Sequence, residues 1–258
     1  MTLRYNNDMK RVNLVAYLDK LLAIGEFGDN SWNGLQFEGK DEVKKVVSAV
    51  DAGVEIFEKA AEMKADFLMV HHGQFWTGSN PSLVGWNKKR VDVLYEHQIS
   101  LYGAHLPLDR HAEFGNNALL LQMIGAEKTG DFLEHRGTPI GWTGRLENEK
   151  SASELSRVLA RQIGEPLKVL DFGKTVKTVA VCSGGGGYGA VFEAIGLGVD
   201  LLITGDTAEV YQTAKDAGLN VIFAGHHGTE IVGVRALGEH VAEKFGVEFE
   251  WLDVETGL

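Results

Sequence analysis

The chain has 258 residues, 44% of them hydrophobic and 24% charged. That is enough apolar material for a real core, and it excludes disorder or a collagen-like state as the main form. Acidic residues outnumber basic ones to a formal net charge of −11, a surface that repels phosphate backbones and anionic headgroups and so argues against general nucleic-acid or membrane partners. Cys182 has no intrachain partner for a disulfide. With a polar opening segment and no apolar run near the ~20 residues of a membrane helix, a cytoplasmic protein is expected. The length suits two modest domains or one large α/β domain. The 32 glycines exceed the roughly 7% usual in proteins and point to many tight turns.

In chain order, residues 12–24 carry Leu14, Leu18, Leu21 and Leu22 at helical spacing, with Gly25 as a stop. A polar turn with a short extended piece follows around Ser31–Gln36. Val43–Val50 predicts a buried strand, Asp51–Lys64 a helix, and Asp66–Val70 a second strand running into His71-His72-Gly73. A glycine- and asparagine-containing loop precedes a helix near 88–97, and a strand at Ile99–Gly103 delivers His105 and Asp109. A polar section at 127–153 reads as a connection, placing a first α/β domain at 1–126 and a second at 154–258, with a possible return of the chain between them near the C-terminus. Beyond it come a helix at 151–163, strands at 175–182, 200–204 and 220–224, short helices near 190–196 and 207–217, and a long amphipathic helix at 231–245. Alternation of strand and helix predicts mostly parallel sheets.

The halves look alike. Val43–Val47 matches Val176–Ala180, Ala65–Val70 matches Val199–Thr204, and Ser100–His105 matches Val221–His226. Both of these histidines precede a carboxylate by four residues, Asp109 in one half and Glu230 in the other. The expectation is two similar α/β domains that arose by internal duplication.

Ligands of open α/β sheets gather outside the carboxyl ends of the strands. His71, His72, His105, Asp109, Asp206, His226 and Glu230 all fall there, which makes them candidates for one rim. Imidazole with carboxylate suits zinc, iron, manganese or nickel. In a regular strand His71 and His72 point opposite ways, so they would reach two ions bridged by Glu230 or Asp109. His105 is a ligand or a group that orients one. His97, His111, His135 and His240 lack ligand spacing, and His227 is ambiguous.

The run Ser183-Gly184-Gly185-Gly186 continues to Gly189 and has Asp206 some twenty residues on. It formally satisfies a dinucleotide-binding fingerprint. A loop whose amides hold a substrate anion and a tight turn for close helix–sheet packing are the other readings. Phe75, Trp76 and Trp86 are candidates for a subunit interface or for a cap over the cleft.

Val70-His71-His72-Gly73 followed by Phe75-Trp76, His105-Leu106-Pro107-Leu108-Asp109, Ser183–Gly186, Gly225-His226 with Glu230, Asn33–Gln36 and Gly115-Asn116-Asn117 together resemble the NGG-one-interacting factor three-like family. Its members are also called GTP cyclohydrolase I type 2 homologues. The likeness runs from about residue 30 to the C-terminus and fits the compact form without an inserted domain. The resemblance implies two similar α/β domains, a ring-shaped homohexamer, and a dinuclear metal centre with His71, His72, Asp109, His226 and Glu230 as ligands.

Three functions stay open. The first is a metal-dependent hydrolase with two divalent ions per chain, acting on a small phosphorylated or nucleotide-like molecule; GTP ring-opening is the version the resemblance implies. The second is a non-enzymatic scaffold that holds metal or a partner. The third is a nicotinamide-dependent oxidoreductase using the glycine loop.

Overall fold

The computed structural model describes residues 9–164 and 167–257, so the polar opening segment lies outside the described residues. The chain forms two compact units. One comprises Met1–His105 and Val234–Val254, the other Leu106–Gly233 and Glu255–Leu258. The division thus falls after His105 rather than near 126, and the chain does return to the first unit late in the sequence.

In the first unit, β1 (Met9–Lys10), α1 (Arg11–Leu21), β2 (Gly34–Phe37) and β3 (Glu42–Val43) precede the main βαβ run. That run is β4 (Lys45–Asp51), α2 (Val54–Glu62), β5 (Phe67–His72), α3 (Gly85–His97) and β6 (Ser100–Gly103). Strands β4, β5 and β6 pair in parallel, and β2 closes the far edge antiparallel to β6. Phe67, Leu68, Met69 and Val70 are all fully buried, as expected of a parallel strand covered on both faces. Alternate strand residues join Phe57, Ala60, Leu94 and Leu101 in one apolar cluster.

The second unit opens with α4 (Leu106–Arg110) and α5 (Asn116–Ile124). The section 127–153 is no polar connection. It is a long hairpin, β7 (Ala126–His135) and β8 (Thr138–Lys150), turned by Arg136 and Gly137 at φ of 50° and 84°. Two residues at positive φ make the turn that matches strand twist. The hairpin reads polar because nine of the ten β7 residues are exposed or only partly buried, while Phe132, and Trp142 and Leu146 on β8, are buried.

Next come α6 (Ala152–Ile163), β9 (Lys168–Leu170), β10 (Val176–Cys182), α7 (Gly187–Leu197), β11 (Leu201–Thr204), α8 (Tyr211–Ala217), β12 (Asn220–Phe223) and α9 (His226–Phe245). A capping box starts α6: the Ser151 side chain accepts from the Glu154 amide, and the Glu154 carboxylate accepts from the Ser151 amide. The six-stranded sheet has the order β7-β8-β10-β11-β12-β9, parallel through β10, β11 and β12 and antiparallel at its margins. The chain ends in the first unit with β13 (Glu248–Trp251), parallel to β4. Among the described residues no helix is long and apolar enough to cross a membrane.

Backbone hydrogen bonds make the likeness of the halves explicit. Asp66 N–H donates to Lys45 O and Asp200 N–H to Thr178 O, each at 3.0 Å. Ala104 N–H donates to Val70 O and Ala224 N–H to Thr204 O. Phe57 N–H donates to Gly53 O as Ala190 N–H does to Gly186 O. This register corrects one pairing read from the sequence. Phe67 pairs with Ser100 and Leu201 with Asn220, so His105 corresponds to Gly225 and His226 to Leu106. The two His-x-x-x-acid steps are offset by one residue and are not structural equivalents.

Candidate metal centre

In the first unit, β5 continues through both histidines. The rings of His71 and His72 do not diverge as a regular strand would have them; their centroids are 4.8 Å apart. His105 joins them, with centroids 5.0 Å from His71 and 5.6 Å from His72. One ligand atom from each of the three lies within 4.8 Å of the others.

Each ring is fixed from behind. His71 Nδ1 meets Ala104 O at 2.9 Å, His72 Nδ1 meets Asp51 Oδ1 at 2.7 Å, and His105 Nδ1 meets both Asp29 oxygens at 2.9 and 3.0 Å. All these partners are acceptors, so Nδ1 donates and the lone pair of a neutral ring resides on Nε2, the arrangement of a metal-ligating histidine. Asp29 is 3% exposed at its side chain. Burial alone would raise its carboxyl, but the hydrogen bond and charge of His105, with Asn33 and the Ser31 amide, hold it far below the usual carboxylate range. Trp76 stands edge-on to His105 at 5.0 Å, its indole N–H donating to Gly73 O at 2.8 Å. Of the three aromatics suggested for an interface, Trp76 thus caps its own unit's histidines, Phe75 packs beside Trp32, and Trp86 is 60% exposed.

In the second unit, α9 starts at His226, five residues earlier than its periodicity predicted, which places His226 and Glu230 one turn apart on the same helix face. His226 Nε2 is 3.3 Å from Glu230 Oε1, and its Nδ1 meets Asp206 Oδ1 at 2.9 Å. Glu230 and Asp206 together raise the His226 imidazole to about 9, the Glu230 hydrogen bond leading and burial opposing. A field that holds a proton this firmly also favours a cation. Asp109, on α4, brings a carboxylate oxygen within 4.8 Å of one on Glu230. Its Oδ1 accepts from Ser183 Oγ at 2.7 Å and Asn116 Nδ2 at 2.8 Å.

The glycine loop lies against this group. Gly184 has φ +59°, and a Cβ there would lie 2.3 Å from Glu230 Oε1 and 3.1 Å from His226 Nε2. At Gly185 it would lie 2.8 Å from Asp206 Oδ2. Three amides of the loop are engaged within the unit: Ser183 N–H with Asn117 Oδ1, Gly184 N–H with Thr229 Oγ1, and Gly186 N–H with Thr204 Oγ1. Asp206, the acid a dinucleotide site would turn to ribose, holds His226. This bonding favours close approach over the anion-loop and dinucleotide readings of Ser183, Gly184, Gly185 and Gly186.

Burial and then the charges of Asp109, Glu230 and Glu193 push the Cys182 thiol up, away from the reactive thiolate form. Of the histidines set aside from the sequence, His111 stacks on Phe114 and His240 on Tyr17. The supporting acids Asp29 and Asp51 were missed. Asp51 had a signal, a carboxylate at the end of a predicted strand. Asp29 had none before the fold brought it to His105.

Three imidazoles held at Nδ1 in the first unit, and in the second an imidazole beside a buried carboxylate with glycine where a side chain would collide, are donor groups that fit metal ions. The chain is therefore a two-unit α/β protein with groups able to bind metal. It belongs to the DUF34/NIF3 (NGG1p interacting factor 3) family, whose sequence profile matches residues 9–257. An Archaeoglobus fulgidus protein called GTP cyclohydrolase 1 type 2 homolog is 45% identical to it, the alignment covering 97% of this chain and all of the relative. TTHA1606 from Thermus thermophilus, known from a crystal structure, is 41% identical, with a TM-score of 0.86 over 97% of this chain and all of that one. Reduced HcgD from Methanocaldococcus jannaschii shares the fold at 24% identity, with a TM-score of 0.81 over 96% of this chain and 99% of that one.

Proposed function

We propose that the protein is a metal-dependent hydrolase in which His71, His72, Asp109, His226 and Glu230 bind two divalent ions, and that its substrate is a small phosphorylated or nucleotide-like molecule. The observation that carries this reading is the orientation of the histidines, each fixed at Nδ1 by an acceptor. When bound, the ions supply Lewis acidity, drawing the pKa of water toward neutrality and polarising the group it attacks. The chain's own residues do the rest. Asp109 and Glu230 offset the cationic charge, and Ser183 and Asn116 hold one Asp109 oxygen so that the carboxylate keeps its aim. The Trp76 ring lies 5.9 Å from that of His72. Ring-opening of GTP is the version suggested by the name that the Archaeoglobus relative carries. A cytoplasmic homohexamer is the assembly that accompanies this reading, and light scattering that gives a monomer across physiological salt would defeat that part.

The test is turnover of a nucleotide, phosphodiester and cyclic-amide panel before and after chelation. Activity should vanish with the metal and return with added divalent ion, while far-ultraviolet circular dichroism stays nearly constant, because each unit has a core of its own. Glu230→Gln should lose metal that His97→Gln retains. If His226→Ala and Glu230→Ala lose metal yet turn over substrate at the wild-type rate, the hydrolase reading is wrong. If metal binds but no substrate class responds to it, a metal-holding scaffold replaces the enzyme.

A further inference from the structure

We propose that Arg110, Lys128 and Trp142 of the second unit form a binding site for an oxyanion, the carboxylate or phosphate group of a small molecule. The site uses none of the proposed metal ligands and needs no bound ion.

Three observations carry it. The first is the geometry of the hairpin. Trp142 on β8 pairs with Asp131 and Gly144 with Lys128, and the register shifts between Lys128 and Gly130. In a regular strand Lys128 and Asp131, three residues apart, would face opposite ways. The extra residue at the bulge turns both toward the face that carries Trp142. The second observation is charge. The Arg110 guanidinium, from α4, lies 3.1 Å from the centre of the Trp142 ring, and the Lys128 ammonium lies 3.8 Å from it. Asp131 takes Arg110 Nη2 at 2.6 Å, and among the described residues Lys128 has no acidic partner. Two cations therefore meet one carboxylate, in a chain whose net charge is −11. The third observation is a pair of buried donors. Arg110 Nη1 and Trp142 Nε1 are both buried without an acceptor, and Trp142 is 8% exposed. Buried N–H groups left in that state are costly and rare. The π face attracts the two cations but offers the indole N–H nothing, because that hydrogen lies in the ring plane. An oxyanion at the indole edge would accept from Nε1 and Nη1, and the Lys128 ammonium would meet its charge. Lys128 is exposed, so its side chain can swing off the ring to admit the anion.

Metal-stripped protein is titrated calorimetrically with inorganic phosphate and, separately, with acetate at matched ionic strength. At least one of the two should bind saturably. Binding of phosphate alone would identify a phosphate site, and binding of both a site for carboxylates as well. Lys128→Met should weaken binding by roughly 10-fold or more. Trp142→Phe keeps an aromatic ring, removes only the indole N–H donor, and should weaken it comparably. Lys89→Met, an exposed lysine of the first unit, should bind as wild type does. If Trp142→Phe does not fold, Lys128→Met decides alone, because its side chain is exposed. Three results would overturn the proposal: no saturable binding of either anion, equal affinity in wild type and Lys128→Met, or phosphate uptake that appears only after divalent metal is added back.

Discussion

Asp66 and Asp200 occupy the same place in the two units. Each caps the start of a strand and accepts from two successive backbone amides of the preceding one, Lys44 and Lys45 in the first unit, Lys177 and Thr178 in the second. At the other end of the same strands the units part company. Where the first unit has Asp51, Ala52 and Gly53 at the end of β4, the second has Gly184, Gly185 and Gly186 after β10. Where the first has His71 and His72, the second has Gly205 and Asp206. The carboxylate and the imidazole have changed strands: Asp51 on the first strand holds His72 on the second, whereas Asp206 after the second holds His226 after the third. The volume given up at Gly184 is taken by Glu230. The two units thus share a frame, and the donor atoms sit at positions that are not equivalent within it.

The largest effect expected from this comparison is at Gly184. Gly184→Ala should cost about 1–2 kcal/mol from the left-handed backbone alone and drive a methyl group into Glu230, so metal uptake should fall by roughly 100-fold or more. Gly187, at φ +56° with nothing within 4 Å of a Cβ, is the control. Gly187→Ala should show the backbone cost and keep its metal. Equal metal uptake by the two variants would remove the close-approach role of the loop.

Next is the shared clamp. Asp66→Ala and Asp200→Ala each strand two backbone amides, and chemical denaturation should show losses of roughly 2–3 kcal/mol in both. A large loss in one and none in the other would mean the clamps are alike only in shape. Asp200 adds a pH signature. Burial raises its carboxyl, but Lys174 and the donors at Thr178 and Lys177 win and bring it to about 2 from 3.8. Its folded-state pKa is the lower one, so its stabilisation is present above about pH 4 and is lost as pH falls toward 2. Asp200→Asn should flatten that part of the acid limb.

Smaller again are the two acids that hold histidines. Asp51→Asn and Asp206→Asn should each weaken metal binding by roughly 10–100-fold without unfolding the chain, as read by chelator competition. The smallest effect is at a helix start. Ser151→Ala removes one half of the capping box and should cost about 1 kcal/mol in thermal or denaturant unfolding, with no change in bound metal.

Much of the frame is legible in the sequence because it depends on local pattern. Strands such as Phe67–Val70 announce themselves as unbroken apolar runs, and glycine marks the turns between them. The strand ends can therefore be read, and with them the candidate donors His71, His72, Asp109, His226 and Glu230. Long-range geometry is not legible. The hairpin at β7 and β8 has a polar, exposed face that imitates a linker, and its turn is signalled by one glycine after an arginine. The offset between His105 and His226 is one residue, less than the precision with which strand ends can be read. Asp29 sits in a polar turn far from His105 in sequence, and nothing but the fold connects them.

The measurement that bears most directly on the central claim is metal content per chain, determined by elemental analysis on tag-free protein for wild type, Glu230→Gln and Gly187→Ala. The account predicts about two divalent ions per chain in wild type and Gly187→Ala, and a clear deficit in Glu230→Gln. Metal absent from the wild type, or equal in all three proteins, would contradict it.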